Sequence, residues 1–156
     1  MKMMTTRVAS GGIHLHVVTY GDSRKTPIVL VHGYPDNNQV WKPVAELLAK
    51  KHFVIAYDVR GAGQSDVPNR VSDYRLELLA QDLAAVVDAV IPGRRFHLAA
   101  HDWGSIQSWE SVTTDRLKPR IASFSSMSGP SLDHASHWIR TRTFNLSPVA
   151  KARASR

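Results

Sequence analysis

Ala100-His101-Asp102-Trp103-Gly104 constrains the fold of this chain more than any other stretch, because it sets a carboxylate between small residues at a strand-to-helix junction. The run Arg95-Phe96-His97-Leu98-Ala99 before it reads as a short buried strand, and Ser105-Ile106-Gln107-Ser108-Trp109-Glu110 after it starts a helix. Strand, tight turn and helix in that order make a small-x-nucleophile-x-small pentapeptide into a nucleophile elbow. Ala100 and Gly104 suit such a turn because neither side chain obstructs the close approach of strand and helix. Asp102 is then held at the C-terminal end of a strand, near the positive end of the next helix dipole. A carboxylate in that place attacks an sp3 carbon by displacement and leaves an alkyl ester on the protein. The plainer reading is a turn carboxylate that caps the following helix.

A distant segment favours the nucleophile over the cap. Pro27-Ile28-Val29-Leu30-Val31 is a continuous apolar run, as expected of a strand buried on both faces, and it ends at His32-Gly33-Tyr34-Pro35. With an elbow of this kind, the loop after such a strand supplies one backbone N–H to an oxyanion hole, and the residue after the nucleophile supplies the other. Those donors are expected from Tyr34 and Trp103, with His32, Gly33 and Pro35 shaping the loop. Two readings of the Trp103 side chain stand side by side: core, or a wall of the substrate pocket with its indole N–H facing inward. His101 adjoins Asp102, but neighbours on a sharp turn point apart, so its role is structural. His97, His134 and His137 share no ligand spacing with a carboxylate, and no metal site is expected.

The rest of the chain supplies strands alternating with helices, which implies an α/β fold with a mostly parallel sheet. Thr5–Ser10 and Ile13–Tyr20 read as an antiparallel N-terminal hairpin about Gly11-Gly12. Val40, Trp41, Val44, Leu47 and Leu48 fall at helical spacing, and Phe53-Val54-Ile55-Ala56-Tyr57 is the next strand. Gly61-Ala62-Gly63 lacks the third glycine and following helix of a nucleotide fingerprint. It reads instead as a tight loop held by Asp58 and Arg60. Asp73 is expected to cap a long helix with Leu76, Leu79, Leu83, Val86, Val87 and Val90 on one face, ended by Pro92-Gly93. The helix after the elbow is expected to run to about Leu117, followed by a strand from Ile121 to Met127.

His32-Gly33-Tyr34-Pro35, Asp58-Val59-Arg60-Gly61-Ala62-Gly63-Gln64-Ser65 and His101-Asp102-Trp103-Gly104 together resemble the N-terminal part of an α/β-hydrolase of the epoxide hydrolase branch. The resemblance covers roughly residues 10 to 140. It implies a cofactor-free enzyme acting on a small hydrophobic epoxide through an ester at Asp102, with the Tyr34–Pro35 bond cis. Haloalkane dehalogenases are similar in the Asp-Trp-Gly elbow but usually carry an asparagine, as halide ligand, where this chain has Tyr34. Ile121–Gly129 with Pro130-Ser131-Leu132-Asp133-His134 also resembles the hydrolase half of bacterial proteins fused to a short-chain dehydrogenase, and no dehydrogenase segment is present in these residues.

Members of the branch continue into a helical cap with two tyrosines, then further core strands, an acid and a catalytic histidine. The sequence is therefore expected to be truncated before the cap and last core strands. Residues 1–132 would form a partial hydrolase core, and 133–156 the start of the cap region and a basic, disordered tail. An inactive, non-catalytic remnant is the competing expectation. Strand Ile121–Met127 would then lie at an unpaired sheet edge, exposing apolar surface around Ile121 and Phe124 and inviting self-association.

Composition agrees with an α/β piece: 43% of residues are hydrophobic and 21% charged, near globular averages, so disorder is not the default. The chain has no cysteine, which excludes a disulfide scaffold and cysteine-based metal or redox chemistry. No stretch has the length of a signal peptide or membrane span, and the cytoplasm is the expected location. The net charge of +7 concentrates in the tail, where Arg140, Arg142, Lys151, Arg153 and Arg156 face Asp133 alone. That distribution points to neither a nucleic-acid nor a membrane partner.

Overall fold

The computed structural model of the chain describes residues 2–143. Strands β1 (Met3–Ser10) and β2 (Ile13–Tyr20) form the expected antiparallel hairpin. Gly11 and Gly12 both take positive φ, 53° and 86°, the backbone that a two-residue hairpin turn requires and a side chain opposes. The sheet runs in the order β1-β2-β4-β3-β5-β6, with β3 at Pro27–Val31, β4 at Phe53–Tyr57, β5 at Phe96–His101 and β6 at Ile121–Met127. β2 meets β4 antiparallel, and every pairing beyond it is parallel.

All five residues of β3 and of β4 are buried, because helices cover both faces of the sheet there. The strand period of two divides their side chains. Val29, Val31, Ile55 and Tyr57 join Leu15 and Val17 beneath Leu83, Val86 and Val87 of α2 (Leu76–Val90). On the other face Leu30, Val54 and Ala56 join Val18 and Tyr20 under Trp41, Ala45 and Ala49, in and beside α1 (Lys42–Leu48). α3 (Trp103–Thr113) lies beside α2 on β5 and β6. α4 (Leu132–Thr143) follows β6. Among the described residues, no helix is long and apolar enough to cross a membrane.

Four local expectations change. Asp73 caps no helix: it sits in a 3-10 turn, Val71–Tyr74, and Arg75, in extended backbone, precedes α2 without a side-chain cap. The cause is Arg60, whose guanidinium pairs with Asp82 at 2.6 Å and reaches the Asp73 carbonyl at 2.5 Å, tying the turn to α2. α3 stops at Thr113 rather than Leu117, where β-branched Val112, Thr113 and Thr114 crowd the last turn and Thr114 becomes extended, with ψ 149°. Leu117 turns back into the core. Val40 and Trp41 belong to a 3-10 turn (Asn38–Trp41), whose N-cap Asn37 accepts a hydrogen bond from the Gln39 N–H at 2.9 Å.

The fourth change concerns β6. It is the sheet edge, as expected, but Ile121 and Phe124 are only half-exposed and pack against the core. Trp109 of α3 covers Phe124 edge-to-face, with ring centroids 5.1 Å apart. Arg120 fastens the start of this strand by donating to the Ile91 carbonyl at 2.7 Å and pairing with Asp88 at 2.5 Å. The tail from Asn145 to Arg156 lies outside the described residues.

Candidate active site

Asp102 follows β5 directly and precedes α3, with φ 56° and ψ −129°. That region is sparsely allowed for a residue with a side chain, and such strain persists only where neighbours over-determine it. Here they do. The Asp102 N–H donates to the Met127 carbonyl at 2.9 Å, and its own carbonyl accepts from the Ser105 and Ile106 N–H groups at 2.9 and 3.1 Å.

Three glycines make room for the turn. A Cβ on Gly104 would strike the carbonyls of Val31 and His32, and one on Gly129 would strike the Asp102 carbonyl. A Cβ on Gly33 would meet the Asp102 side chain, with its Cβ at 2.6 Å. The β3 loop therefore lies directly on the carboxylate. The Tyr34 N–H donates to Asp102 Oδ1 at 3.0 Å. The backbone N–H of Trp103, then that of Tyr34, holds the Asp102 carboxyl below the ordinary carboxylate range, so it is ionised at neutral pH. Both residues expected to supply oxyanion donors thus bring their N–H groups to this one side chain.

His32 positions the loop from below. It is buried, its Nδ1 bonds the Gly33 carbonyl at 2.8 Å, and its Nε2 accepts from the Val59 N–H at 2.9 Å. One ring nitrogen must donate and the other accept, which defines a neutral imidazole. Burial pushes its pKa down in the same sense. The Tyr34–Pro35 bond is cis. Trp103 is 55% exposed and Tyr34 79%, so Trp103 is not a core residue.

A cleft of about 500 Å³ opens over these residues, bordered by Gly33, Tyr34, Trp103, Tyr74, Leu76, Leu79 and Gln107. A larger one, about 930 Å³, opens at the other end of the sheet, where β4 begins, by Thr19, Phe53, Ala89 and Val90. The elbow and the β3 loop border the smaller cleft, not this one. Among the described residues, no group of three histidines or acids stands close enough to hold a metal ion.

Sequence reasoning read Asp58 as holding the Gly61–Gly63 loop, which its bond from the Gln64 N–H does, but it missed the buried hub around that carboxylate. Asp58 accepts from the Asn38 N–H at 2.7 Å, Asn38 Nδ2 at 2.6 Å, the Gln64 N–H at 2.8 Å and His16 Nδ1 at 2.9 Å. Its partners lie 6 to 42 residues away in sequence, so no local motif marks the set. Sequence reasoning also passed over Gln107 as an ordinary helical residue, yet it is buried against the cleft.

A family model described as alpha/beta hydrolase fold matches residues 26–147. The Mycobacterium tuberculosis protein named probable oxidoreductase EphD is 39% identical over 141 residues, covering 85% of this chain and 24% of that one. Epoxide hydrolase 3 of Xenopus tropicalis is 36% identical over 110 residues, covering 70% and 30%. Among solved structures, an epoxide hydrolase from Vigna radiata superposes with a TM-score of 0.72 at 26% identity, covering 78% of this chain and 38% of that one. The chain spans between about a quarter and two fifths of the length of these proteins. With the elbow, the glycine contacts and the strand order in agreement, the chain belongs to the α/β-hydrolase fold family.

Proposed function

We propose that this chain carries the nucleophile half of an epoxide hydrolase, in which Asp102 opens a hydrophobic epoxide and becomes alkylated. The observation that carries the reading is the Tyr34 N–H held against Asp102 Oδ1 at 3.0 Å. One carboxylate oxygen is fixed by a backbone donor, and attack falls to the other. That oxygen forms a bond to an epoxide carbon while the carbon–oxygen bond of the ring breaks. The electron pair leaves on the epoxide oxygen, which takes a proton from water and becomes a hydroxyl, and a hydroxyalkyl ester of Asp102 remains.

Oδ1 then becomes the ester carbonyl oxygen. When water attacks the ester carbon, negative charge develops on that atom, which the Tyr34 N–H already faces, and the Trp103 N–H is the second donor of the reading. The similarity to epoxide hydrolases of Xenopus tropicalis and Vigna radiata supports the substrate class, and the exposed Trp103 and apolar Leu76 and Leu79 suit a hydrophobic body.

We further infer that on this polypeptide alone the ester persists. Water needs a general base, and the two histidine–aspartate pairs among the described residues, His14–Asp66 and His16–Asp58, border no part of the cleft. Exposure to styrene oxide followed by intact-mass spectrometry tests both steps. One stable adduct mapping to Asp102, absent in Asp102→Ala, is the expected result. Adducts scattered over several carboxylates overturn the nucleophile assignment, and steady diol production lost in Asp102→Ala overturns the persistence of the ester.

A further inference from the structure

α3 buries one face against the sheet and α2, and most of that face is small: Gly104, Ser105, Ser108 and Ser111. Gln107 is the exception, a long polar side chain only 6% exposed. Ser105 donates to the Gly129 carbonyl at 3.0 Å and Ser108 to the Gly104 carbonyl at 2.7 Å. The Gln107 amide bonds to no group among the described residues. It also differs from the sealed, unbonded atoms of the interior, such as Ser111 Oγ and Trp41 Nε1, because it borders the cleft.

The other polar side chains of the inner wall are engaged. His32 uses both ring nitrogens, the Arg60 guanidinium grips Asp82, and the Tyr74 hydroxyl donates to the Pro68 carbonyl at 2.9 Å. Asp36 and Asn37 are partly buried at the rim, where the Asn37 side chain accepts from the Gln39 N–H. Of the polar side chains left open on this wall, Gln107 is the most buried, and a largely apolar site with a few placed polar groups is one in which such a group fixes orientation.

We propose that Gln107 is a specificity-determining residue that hydrogen-bonds an oxygen substituent on the substrate, so that the cleft selects epoxides bearing a hydroxyl or carbonyl on an otherwise apolar chain. This rests on the nucleophile reading of Asp102 and adds to it the substrate's second polar group. Gln107 follows Asp102 by five residues of helix, about 7 Å along the axis, which places that oxygen about five bonds from the attacked carbon. The amide both donates and accepts, so it serves either oxygen type. An analogue without the oxygen leaves the amide unpaired against apolar groups, and discrimination arises from that penalty.

The test uses the full chain with two probes: the terminal epoxide of octene, and the same epoxide with a hydroxyl on its fifth carbon. The hydroxylated probe is expected to alkylate Asp102 about fivefold faster under subsaturating conditions, the usual scale of one neutral hydrogen bond. In Gln107→Leu the two rates converge, because the hydroxylated probe loses its partner and slows while the apolar probe no longer strands an amide. Equal rates on the unaltered chain, or a preference that survives Gln107→Leu, overturn the proposal.

A second arm needs no reaction. The unreactive pair octan-1-ol and octane-1,5-diol is titrated against nitrogen-15-labelled chain, following the Gln107 side-chain amide by magnetic resonance. A shift of that amide with the diol alone is expected. The same shift with both alcohols, or with neither, overturns the proposal. If neither epoxide labels Asp102 while the diol alone moves the amide, the nucleophile reading fails and the Gln107 site stands.

Discussion

Two aspartates end the parallel strands on either side of β3, and their fates differ. Asp58 follows β4 and Asp102 follows β5. Each has a glycine pressed against its carboxylate, Gly63 and Gly33 respectively. Asp58 is 1% exposed and receives donors on both oxygens, two from Asn38 on Oδ1 and one each from His16 and Gln64 on Oδ2. Asp102 is half-exposed and takes its cross-loop bond at Oδ1. A carboxylate has about four acceptor sites, so the first is saturated and the second is not. Saturation makes a structural strut, and a vacant lone pair beside a cleft makes a candidate nucleophile. The same residue at the same place in the strand-loop unit serves either purpose, decided by how many donors the surrounding loops supply.

The largest expected contrast is chemical. Asp102→Gly is expected to abolish adduct formation completely while raising stability by about 1 kcal/mol, because glycine tolerates the φ of 56° that strains the aspartate. Mass spectrometry and thermal unfolding on the same sample measure both. A fall in stability would show that the elbow is not strained and would weaken the contrast with Asp58.

Next in size is the strut. Asp58→Leu leaves His16, Asn38 and the Gln64 N–H unpaired in a buried site, and a loss of about 3–5 kcal/mol is expected in denaturant unfolding. Gly33→Ala and Gly63→Ala compare the two glycines directly. Each Cβ meets its carboxylate, so each should cost about 1–3 kcal/mol, but only Gly33→Ala should slow alkylation of Asp102.

A smaller effect follows from pH. His32 is held neutral by burial, with its pKa below the ordinary 6.5 of histidine, so below that pH the unfolded chain binds the proton more readily than the folded one. Stability contributed by the neutral ring is therefore full above about pH 6.5 and declines as pH falls. Protonation would also remove the Nε2 acceptor from the Val59 N–H, and the loop carrying the Tyr34 donor should loosen. His32→Gln is expected to flatten this decline between pH 7 and 5 in unfolding titrations. The smallest effect is at the sheet edge. The chain should self-associate through β6, and Ser125→Lys should reduce that association in sedimentation velocity without changing alkylation.

Legibility in the sequence followed the range of the forces involved. β3 and β4 were readable to the residue because unbroken apolar runs have one solution in a covered sheet. The elbow was readable because its requirements are local: small residues at 100 and 104 and a carboxylate between them. The β3 loop was readable only through its pairing with the elbow. Asp73 misled because a good capping residue lost to a long-range tie from Arg60, which nothing near position 73 announces. The Asp58 hub and the open amide of Gln107 were invisible for the same reason, since a polar side chain's role depends on which partners the fold delivers.

The contact of Asp102 with the end of β6 has a mechanical side. The Asp102 N–H is anchored on the Met127 carbonyl, Ser105 and Ser126 bond at 2.6 Å, and Gly129 is wedged against the turn. The last strand of the described sheet is thus the far jaw of a vice whose near jaw is the β3 loop. An edge strand opens more readily than a central one, and whatever opens with it forms one cooperative unit. Fraying at β6 would release the strained turn and displace the carboxylate from its backbone donors in the same event, so the position of this carboxylate is tied to an edge strand of the described sheet.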